Sequence, residues 1–453
     1  MTKNLFSGSF MDMLDSKDPL IILADNFPWL KVESKFKKYY NNDKVGRPNK
    51  PIRLMVGLLL LKQLKNLSDE RIVEEWKQNP YYQYFCGFTE YTPSLPCHAT
   101  ELVKFRNRIG KEGFEFIFKC SIELHGDEAK ESQVIVDSTV QESNMTFPTD
   151  GKLAIKIILK LLKISKNENI KLRRSFIKEI KTLRVQLRFF RHPKKLKKAL
   201  GAMKRLRQIA MVILRDIDRK FKDNLELHNK YAESFYLFNK VLKQERNTPN
   251  KIYSLHEIDA YAINKGKDHK GYEFGTKASI ATTKNSNIIV GVSAHKTNVH
   301  DSKTLDIVLG NAVSNIGDKT ITEAICDRGY RGTKEVIIND KTISISIPDI
   351  RLKRDTQEQI NIKREKFKRR AAIEPIIGHM KSDHRMVRNY LKGFKGDEIN
   401  LLLTATAFNL KKWMNIYLYA LFIQDITLLL EAMKQIQRLK YLYQMLIILK
   451  LYF

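Results

Sequence analysis

Three carboxylate residues, Asp137, Asp327 and Glu374, occur in contexts that could place them at one site. Asp137 and Asp327 each end a short apolar run, and Glu374 lies in an otherwise apolar helical pattern. Converging carboxylates repel one another unless cations neutralise them, and hard oxygen ligands suit Mg²⁺ or Mn²⁺. Two such ions can activate a hydroxyl nucleophile and stabilise the leaving oxygen of a phosphoryl transfer. The three residues therefore predict a two-ion Mg²⁺ site, with Mn²⁺ as an alternative, that performs this chemistry.

Two cations flank Glu374 in the stretch RAAIEPIIGHMK, which begins at Arg370 and ends at Lys381. Spacings of four and seven residues put both cations on roughly the same side of a helix as Glu374. Pro375 suits a first helical turn, so the regular helix is predicted to begin near Ala372. One interpretation is a row of surface salt bridges. The other is a catalytic carboxylate whose flanking cations hold phosphate groups.

The elements that must position these residues are five predicted strands and three helices. The strands cover residues 133–140, 273–283, 287–295, 321–327 and 342–347. Short β-branched runs indicate each strand, and helices are predicted at 305–313, from Thr333, and over the Glu374 stretch. This order is that of an α/β RNase H-like core with a five-stranded mixed sheet, in which the first and fourth strands are neighbours. Asp137 and Asp327 would then meet, although an isolated Asp137 could simply cap a turn.

The remaining regions divide the chain into four parts. Residues 1–128 are predicted to form an all-helical N-terminal domain, with Ser68 capping one helix and a basic helix at 99–110. The catalytic core is predicted at 129–153 and 251–413. A basic helical insertion at 154–250 separates the first two strands, and residues 414–453 form a C-terminal tail.

The charge of the chain predicts a polyanionic partner. Its 453 residues include 81 Lys and Arg against 50 Asp and Glu, a net charge of +31. Residues 151–250 alone hold 28 Lys and Arg against 8 Asp and Glu, a net charge of +20. Such an excess favours nucleic acid first and an anionic membrane surface second.

Cysteine usage and hydropathy predict a cytoplasmic protein without a membrane partner. The four cysteines stand far apart and form no C-x-x-C pair, so neither a zinc knuckle nor a disulfide framework is indicated. The N-terminal residues lack the apolar run of a secretory signal. The most apolar tail segment, 416–430, is shorter than a membrane span and contains Asp425.

Several segments resemble the DDE transposases of bacterial insertion sequences, specifically the insertion-sequence-five family. The segments are VGRPNKPIRLMVGLLLLKQLKNLSDERIVEEW, VIVDSTVQESNMTFPTD, SLHEIDAYAINKGKDHKGYEFGTKASIATT, ICDRGYRG and RRAAIEPIIGHMKSDHRM. The last segment fits the family signature Y-x2-R-x3-E-x6-K through Arg370, Glu374 and Lys381. Phe367 stands where that signature has Tyr, so the role of that hydroxyl is not carried over. The resemblance covers roughly residues 5–413.

The resemblance implies a catalytic and metal-binding triad of Asp137, Asp327 and Glu374. It also implies two Mg²⁺ ions, cleavage at terminal inverted repeats, joining to target DNA, a homodimer on double-stranded DNA and a place at the bacterial nucleoid. The cations expected to contact DNA are Arg370, Lys381, Arg328, Arg331, Lys265 and Lys267. Lys277, in a family-like segment, could contact DNA or lie on a solvated strand edge, and Asp301 is interpreted as a turn residue.

Three alternatives stay open at this point. Another RNase H-like nuclease or resolvase would cut DNA without joining it. A decayed transposase would bind element ends without turnover. A membrane-surface protein would need a basic amphipathic helix and would not need the carboxylates. The tail after Trp413 could be a dimerisation helix or read-through beyond an ordinary C-terminus.

Overall fold

The computed structural model describes residues 10–40, 48–222, 224–267, 270–317, 320–348 and 356–452. Its N-terminal part contains the helices α1 (Pro19–Asn26), α2 (Trp29–Lys37), α3 (Ile52–Leu64), α4 (Asp69–Gln78), α5 (Pro80–Phe85) and α6 (Ala99–Glu123). The predicted cap at Ser68 is confirmed, because its hydroxyl accepts a hydrogen bond from the Arg71 N–H at 3.1 Å. Almost all of α3 is buried, since α2, α4 and α6 pack around it. This burial explains its continuous apolar sequence.

The predicted basic helix at 99–110 is confirmed, and it ends at a kink. Gly110 has a φ of +59° and interrupts the helical geometry, but α6 resumes and continues to Glu123. Glycine adopts this backbone conformation without a steric penalty, so the residue separates two helical segments within α6.

A mixed sheet lies at the centre of the described part of the chain. Its seven strands are β1 (Gln133–Glu142), β2 (Tyr261–Lys267), β3 (Lys270–Thr283), β4 (Ile289–His295), β5 (Glu323–Ile325), β6 (Glu335–Ile338) and β7 (Lys341–Ser346). The order is β2-β3-β1-β5-β7-β6, and β4 pairs with β3 as well. β1 runs antiparallel to β3 and parallel to β5, and β5 runs parallel to β7. The apolar start of β1 is therefore buried on both faces.

The prediction of five strands missed β2 and β6. A helix was expected from Thr333, but β6 begins at Glu335 and pairs with β7. Asn339 and Asp340 join the two strands with φ values of +49° and +58°. Two successive residues with positive φ form the tight turn that a hairpin requires, so this short segment folds back as a strand.

The chain between β1 and β2 forms the helices α7 (Asp150–Asn167), α8 (Ile177–Gln186), α9 (Leu196–Phe221) and α10 (Leu225–Lys243). Thr149 caps α7, because its hydroxyl accepts a hydrogen bond from the Lys152 N–H at 3.3 Å. These helices have an apolar core of their own, which includes Ile158 and Leu206. Many of their lysines and arginines lie on the exposed side, as the alternation of apolar and basic residues requires.

The C-terminal part contains α11 (Leu305–Ile316), α12 (Gln357–Phe367), α13 (Ile373–Ser382) and α14 (Gly393–Tyr452). α14 passes through residue 414 as one helix, where a separate tail was predicted. Most apolar side chains of α14 up to Leu410 are buried, and this part of the helix packs against α3, α6 and β4, whereas Phe422 is 62% exposed. None of the helices in the described ranges combines the length and hydropathy needed to span a bilayer.

Candidate active site

The register of β1 and β5 brings Asp137 and Asp327 to the same end of the sheet. Ile135 of β1 is paired in parallel with Ile325 of β5. Each aspartate follows its paired isoleucine by two residues, so the two lie at the same level of the sheet. Asp137 is in the middle of β1, which continues to Glu142, whereas Asp327 follows the carboxyl end of β5. Both aspartates are half-buried. The predicted pairing of these two strands is confirmed.

α13 packs over this end of the sheet through an apolar cluster of Ile135, Ile325 and Ile373. Each of the three is at most 1% exposed. Side chains two residues apart on a strand point to the same face, so Asp137 lies on the face that α13 covers. Asp327 follows the end of β5 at the start of the next turn. Glu374 directly follows Ile373. The cluster therefore fixes the position of all three carboxylate-bearing segments.

Glu374 is exposed in the first turn of α13. A short 3₁₀ turn at Arg370–Ala372 precedes the helix, which begins at Ile373, so the predicted start near Ala372 is confirmed. Lys381 lies two turns further along, which corresponds to about 10 Å, and is half-buried. α13 thus carries one carboxylate with a cation near each end.

A tight turn holds the carboxylate of Asp327. Its Oδ1 accepts a hydrogen bond from the Gly329 N–H at 2.7 Å and caps the 3₁₀ turn Arg328–Tyr330. A Cβ on residue 329 would lie 2.9 Å from this oxygen and 3.4 Å from Oδ2 of Asp301. Any residue other than glycine would crowd these two carboxylates.

Asp301 is a fourth carboxylate at this end of the sheet. Its Oδ1 accepts hydrogen bonds from Ser138 Oγ at 2.8 Å and from Lys277 Nζ at 2.9 Å. The Lys277 side chain is 10% exposed and also donates to the Val299 carbonyl at 2.6 Å. The interpretation of Lys277 as a DNA contact or solvated edge residue is wrong, because its ammonium points into the protein. No local sequence pattern indicates that Lys277 and Asp301 form this pair.

Two buried groups lie within the electrostatic field of these carboxylates. Burial raises the pKa of the Tyr330 phenol, and Asp137 and Asp301 raise this pKa further. Burial likewise raises the pKa of the Cys326 thiol, with additional contributions from Asp327 and Asp137. Both groups stay neutral, so the negative charge at this site resides on the carboxylates.

The cations predicted to contact DNA occupy different positions. Arg328 and Arg331 are exposed on the turn that follows β5, and Arg370 is half-buried ahead of α13. Lys265 and Lys267 lie in β2, and their side chains fall outside what the structure describes. All of these DNA contacts remain predictions.

Within the described residues, no group of three or more His, Cys, Asp and Glu side chains has a geometry that could hold a metal ion. The chemistry of the donor set nevertheless fits a hard divalent cation, since Asp137, Asp327 and Glu374 offer only oxygen. Mutual repulsion favours separation of these carboxylates in the protein alone. Binding of a metal ion by these three residues remains a prediction.

Two segments of the chain match known protein families. Residues 8–108 match the family described as "Transposase domain (DUF772)", and residues 245–410 match "Transposase DDE domain". "Uncharacterized protein ORF8 in nfe locus" of Rhizobium meliloti is 37% identical over 194 residues, which cover 42% of this chain and 93% of that protein. No solved structure matches the chain.

The matched segments contain the N-terminal helices α1 to α5, the strands β2 to β7, the Asp327 turn and α13. Asp137 lies between the two segments, and its strand pairing connects it to the second. The chain belongs to the DDE transposases, which are enzymes that use divalent metal ions to cleave DNA during transposition.

Proposed function

We propose that the protein is the transposase of a bacterial insertion sequence, which cuts the ends of its element and joins the freed 3′ ends to target DNA. Asp137, Asp327 and Glu374 hold two Mg²⁺ ions, which Mn²⁺ can replace. When bound, such ions activate the attacking hydroxyl and stabilise the leaving oxygen. The observation that carries the proposal is the isoleucine cluster under α13, which holds the three carboxylate-bearing segments together.

The strand order supports an RNase H-like core. β4, β3, β1, β5 and β7 lie side by side, and β3 alone of these runs antiparallel to both of its neighbours. The first and fourth strands of that fold are neighbours, as β1 and β5 are here. β2 and β6 extend this core, and the helices α7 to α10 form the insertion between its first two strands.

The excess of positive charge supports binding to terminal inverted repeats and to target DNA. The insertion carries much of that charge and contacts phosphates. Closer to the carboxylates, the cations that hold DNA are Arg370, Lys381, Arg328, Arg331, Lys265 and Lys267. Two copies of the chain pair two element ends on DNA, in the nucleoid of the bacterial cytoplasm.

The test is cleavage and strand transfer on a labelled duplex that carries the element's own end, with Mg²⁺. Wild type is compared with Glu374→Gln, which keeps the size of the side chain and removes its charge. Glu112→Gln is a matched control, because Glu112 is also an exposed glutamate but lies on α6. We expect wild type and the control to nick and join, and Glu374→Gln only to bind.

Other outcomes separate the alternatives. Cleavage without joining in the wild type would indicate a nuclease or resolvase. Equal behaviour of wild type and Glu374→Gln would refute the assigned role of Glu374. If neither protein cut DNA although both bound it, an inactive DNA-binding remnant would be the better description.

A further inference from the structure

We propose that Asp301, held by the buried cation Lys277, is a positioning residue that fixes the two aspartates of the active site relative to each other. This inference rests on the proposed metal-binding role of Asp137 and Asp327. Asp301 lies at the start of the short 3₁₀ turn before α11, on a segment that contributes no member of the triad. Its contacts reach β1 next to Asp137 and the turn after β5 that holds Asp327.

The first contact is with β1. Ser138 Oγ donates to Asp301 Oδ1 at 2.8 Å, while the Ser138 N–H donates to Asp137 Oδ1 at 2.7 Å. One residue therefore joins the two carboxylates, through its side chain on one side and its backbone on the other. Any shift of Asp301 is transmitted to the backbone group that orients Asp137.

The second contact is with the turn after β5. The Asp301 and Asp327 carboxylates both lie within 3.4 Å of the position that a Cβ of Gly329 would take. Gly329 also donates its N–H to Asp327. Asp301 therefore limits how far the turn at Gly329 can move towards the segment before α11. The same limit applies to the Asp327 carboxylate, which this turn orients.

Lys277 explains how a further carboxylate is tolerated beside the triad. A buried ammonium is costly unless it is paired and hydrogen-bonded, and Lys277 meets this requirement through Asp301 and the Val299 carbonyl. The pair is locally neutral, so Asp301 adds little repulsion to the neighbouring aspartates. The Lys277 ammonium and the Ser138 hydroxyl both donate to Oδ1 of Asp301. An oxygen that accepts from both groups favours a positioning role of Asp301 over direct metal ligation.

The test measures Mn²⁺ binding without DNA, by calorimetry and by electron paramagnetic resonance of the free ion. Asp301→Asn is expected to weaken binding about 10- to 100-fold, the usual effect of losing a group that orients a metal ligand. Lys277→Met should weaken binding too, because Asp301 loses its anchor. Ser138→Ala should act in the same direction with a smaller effect, and it keeps the test decisive if the other variants do not fold.

Asp216→Asn is the matched control. Asp216 is also buried and pairs with Lys220 at 3.4 Å and the Arg173 N–H at 3.1 Å, but it lies in the insertion. It should change thermal stability and leave Mn²⁺ binding unchanged.

If wild type binds Mn²⁺ and Asp137→Asn does not, the proposed metal site stands. Two results would then refute only the positioning role of Asp301. One is unchanged binding in both Asp301→Asn and Ser138→Ala. The other is tighter binding in Lys277→Met, because a released Asp301 that strengthens the site is a metal ligand and not a positioning residue. Failure of the wild type to bind Mn²⁺ through Asp137 would instead refute the proposed metal site itself, and the inference with it.

Discussion

Truncation of Ile373 should weaken the packing that holds Glu374 near the two aspartates, while every carboxylate stays unchanged. Ile373 is 1% exposed and packs with Ile135 and Ile325 in a cluster separate from the main core. Ile373→Ala removes its contribution to this cluster. The lost packing energy weakens the attachment of α13 to the sheet. Because Glu374 is the next residue, its position depends on that attachment.

The expected magnitude follows from the burial. Truncation of a fully buried isoleucine to alanine usually costs about 2–5 kcal/mol. Phe367 and Ile377 border the cluster and are only partly buried, so they can partly fill the space, and about 2–3 kcal/mol is expected here. A change of this size lowers the ratio of docked to undocked α13 by about 30- to 140-fold. Ile373→Val should cost only about 0.5–1.5 kcal/mol.

The assay pairs urea unfolding with the rate of strand transfer at saturating DNA. Ile158→Ala is the control, because Ile158 is 0% exposed in the separate core of the insertion. Both alanine variants should lose similar stability. Only Ile373→Ala should lose strand transfer by about tenfold or more, since small misplacements of catalytic groups can cost up to about 100-fold. Equal losses of rate in the two variants would refute the positioning role of the cluster.

Three further predictions concern other parts of the structure. Gly329→Ala should slow strand transfer, because the new Cβ would lie 2.9 Å from a carboxyl oxygen of Asp327. Gly310→Ala on α11 is the control, because its Cβ would meet nothing within 4 Å and the rate should not change. Equal rates in the two variants would contradict the idea that a side chain at 329 crowds the carboxylates. Burial raises the pKa of Asp397 to about 7, so the folded state binds the proton more tightly than the unfolded state. The free energy of unfolding should therefore fall as pH rises from roughly 4 to about 7. Urea unfolding should show a shallower fall in Asp397→Asn than in the wild type. Identical pH profiles of the two proteins would count against this prediction. Lys197 and Lys198 are both exposed on α9. Replacing both with Gln should reduce the slope of log affinity for DNA against log salt concentration by about 2 units. An unchanged slope would show that these two lysines do not contact phosphates.

The sequence contains enough information to place β1, β5 and α13 correctly. β-branched runs that end on Asp137 and Asp327 predict buried strands, and Pro375 marks the start of α13. These signals are local, because each depends on residues next to one another in the chain. The prediction that β1 and β5 are neighbours then followed from the RNase H-like order of the elements.

The features that the sequence did not reveal depend on contacts between distant segments. β6 has four residues and is stabilised by its pairing with β7, so it has too little periodicity to be recognised alone. The Lys277–Asp301 pair joins positions 24 residues apart, and neither residue has a local pattern that indicates its partner. A lysine within a strand looks the same in sequence whether it faces solvent or a buried carboxylate.

The central claim is that Asp137, Asp327 and Glu374 bind the divalent ions of the transposase. The most direct measurement is anomalous diffraction from crystals of the protein with Mn²⁺, because the anomalous signal locates the ion independently of the protein atoms. The account predicts Mn²⁺ between the middle of β1 and the turn after β5, with oxygen ligands from Asp137 and Asp327 and with Glu374 drawn in from α13. Mn²⁺ bound only elsewhere, with these three carboxylates uninvolved, would contradict it.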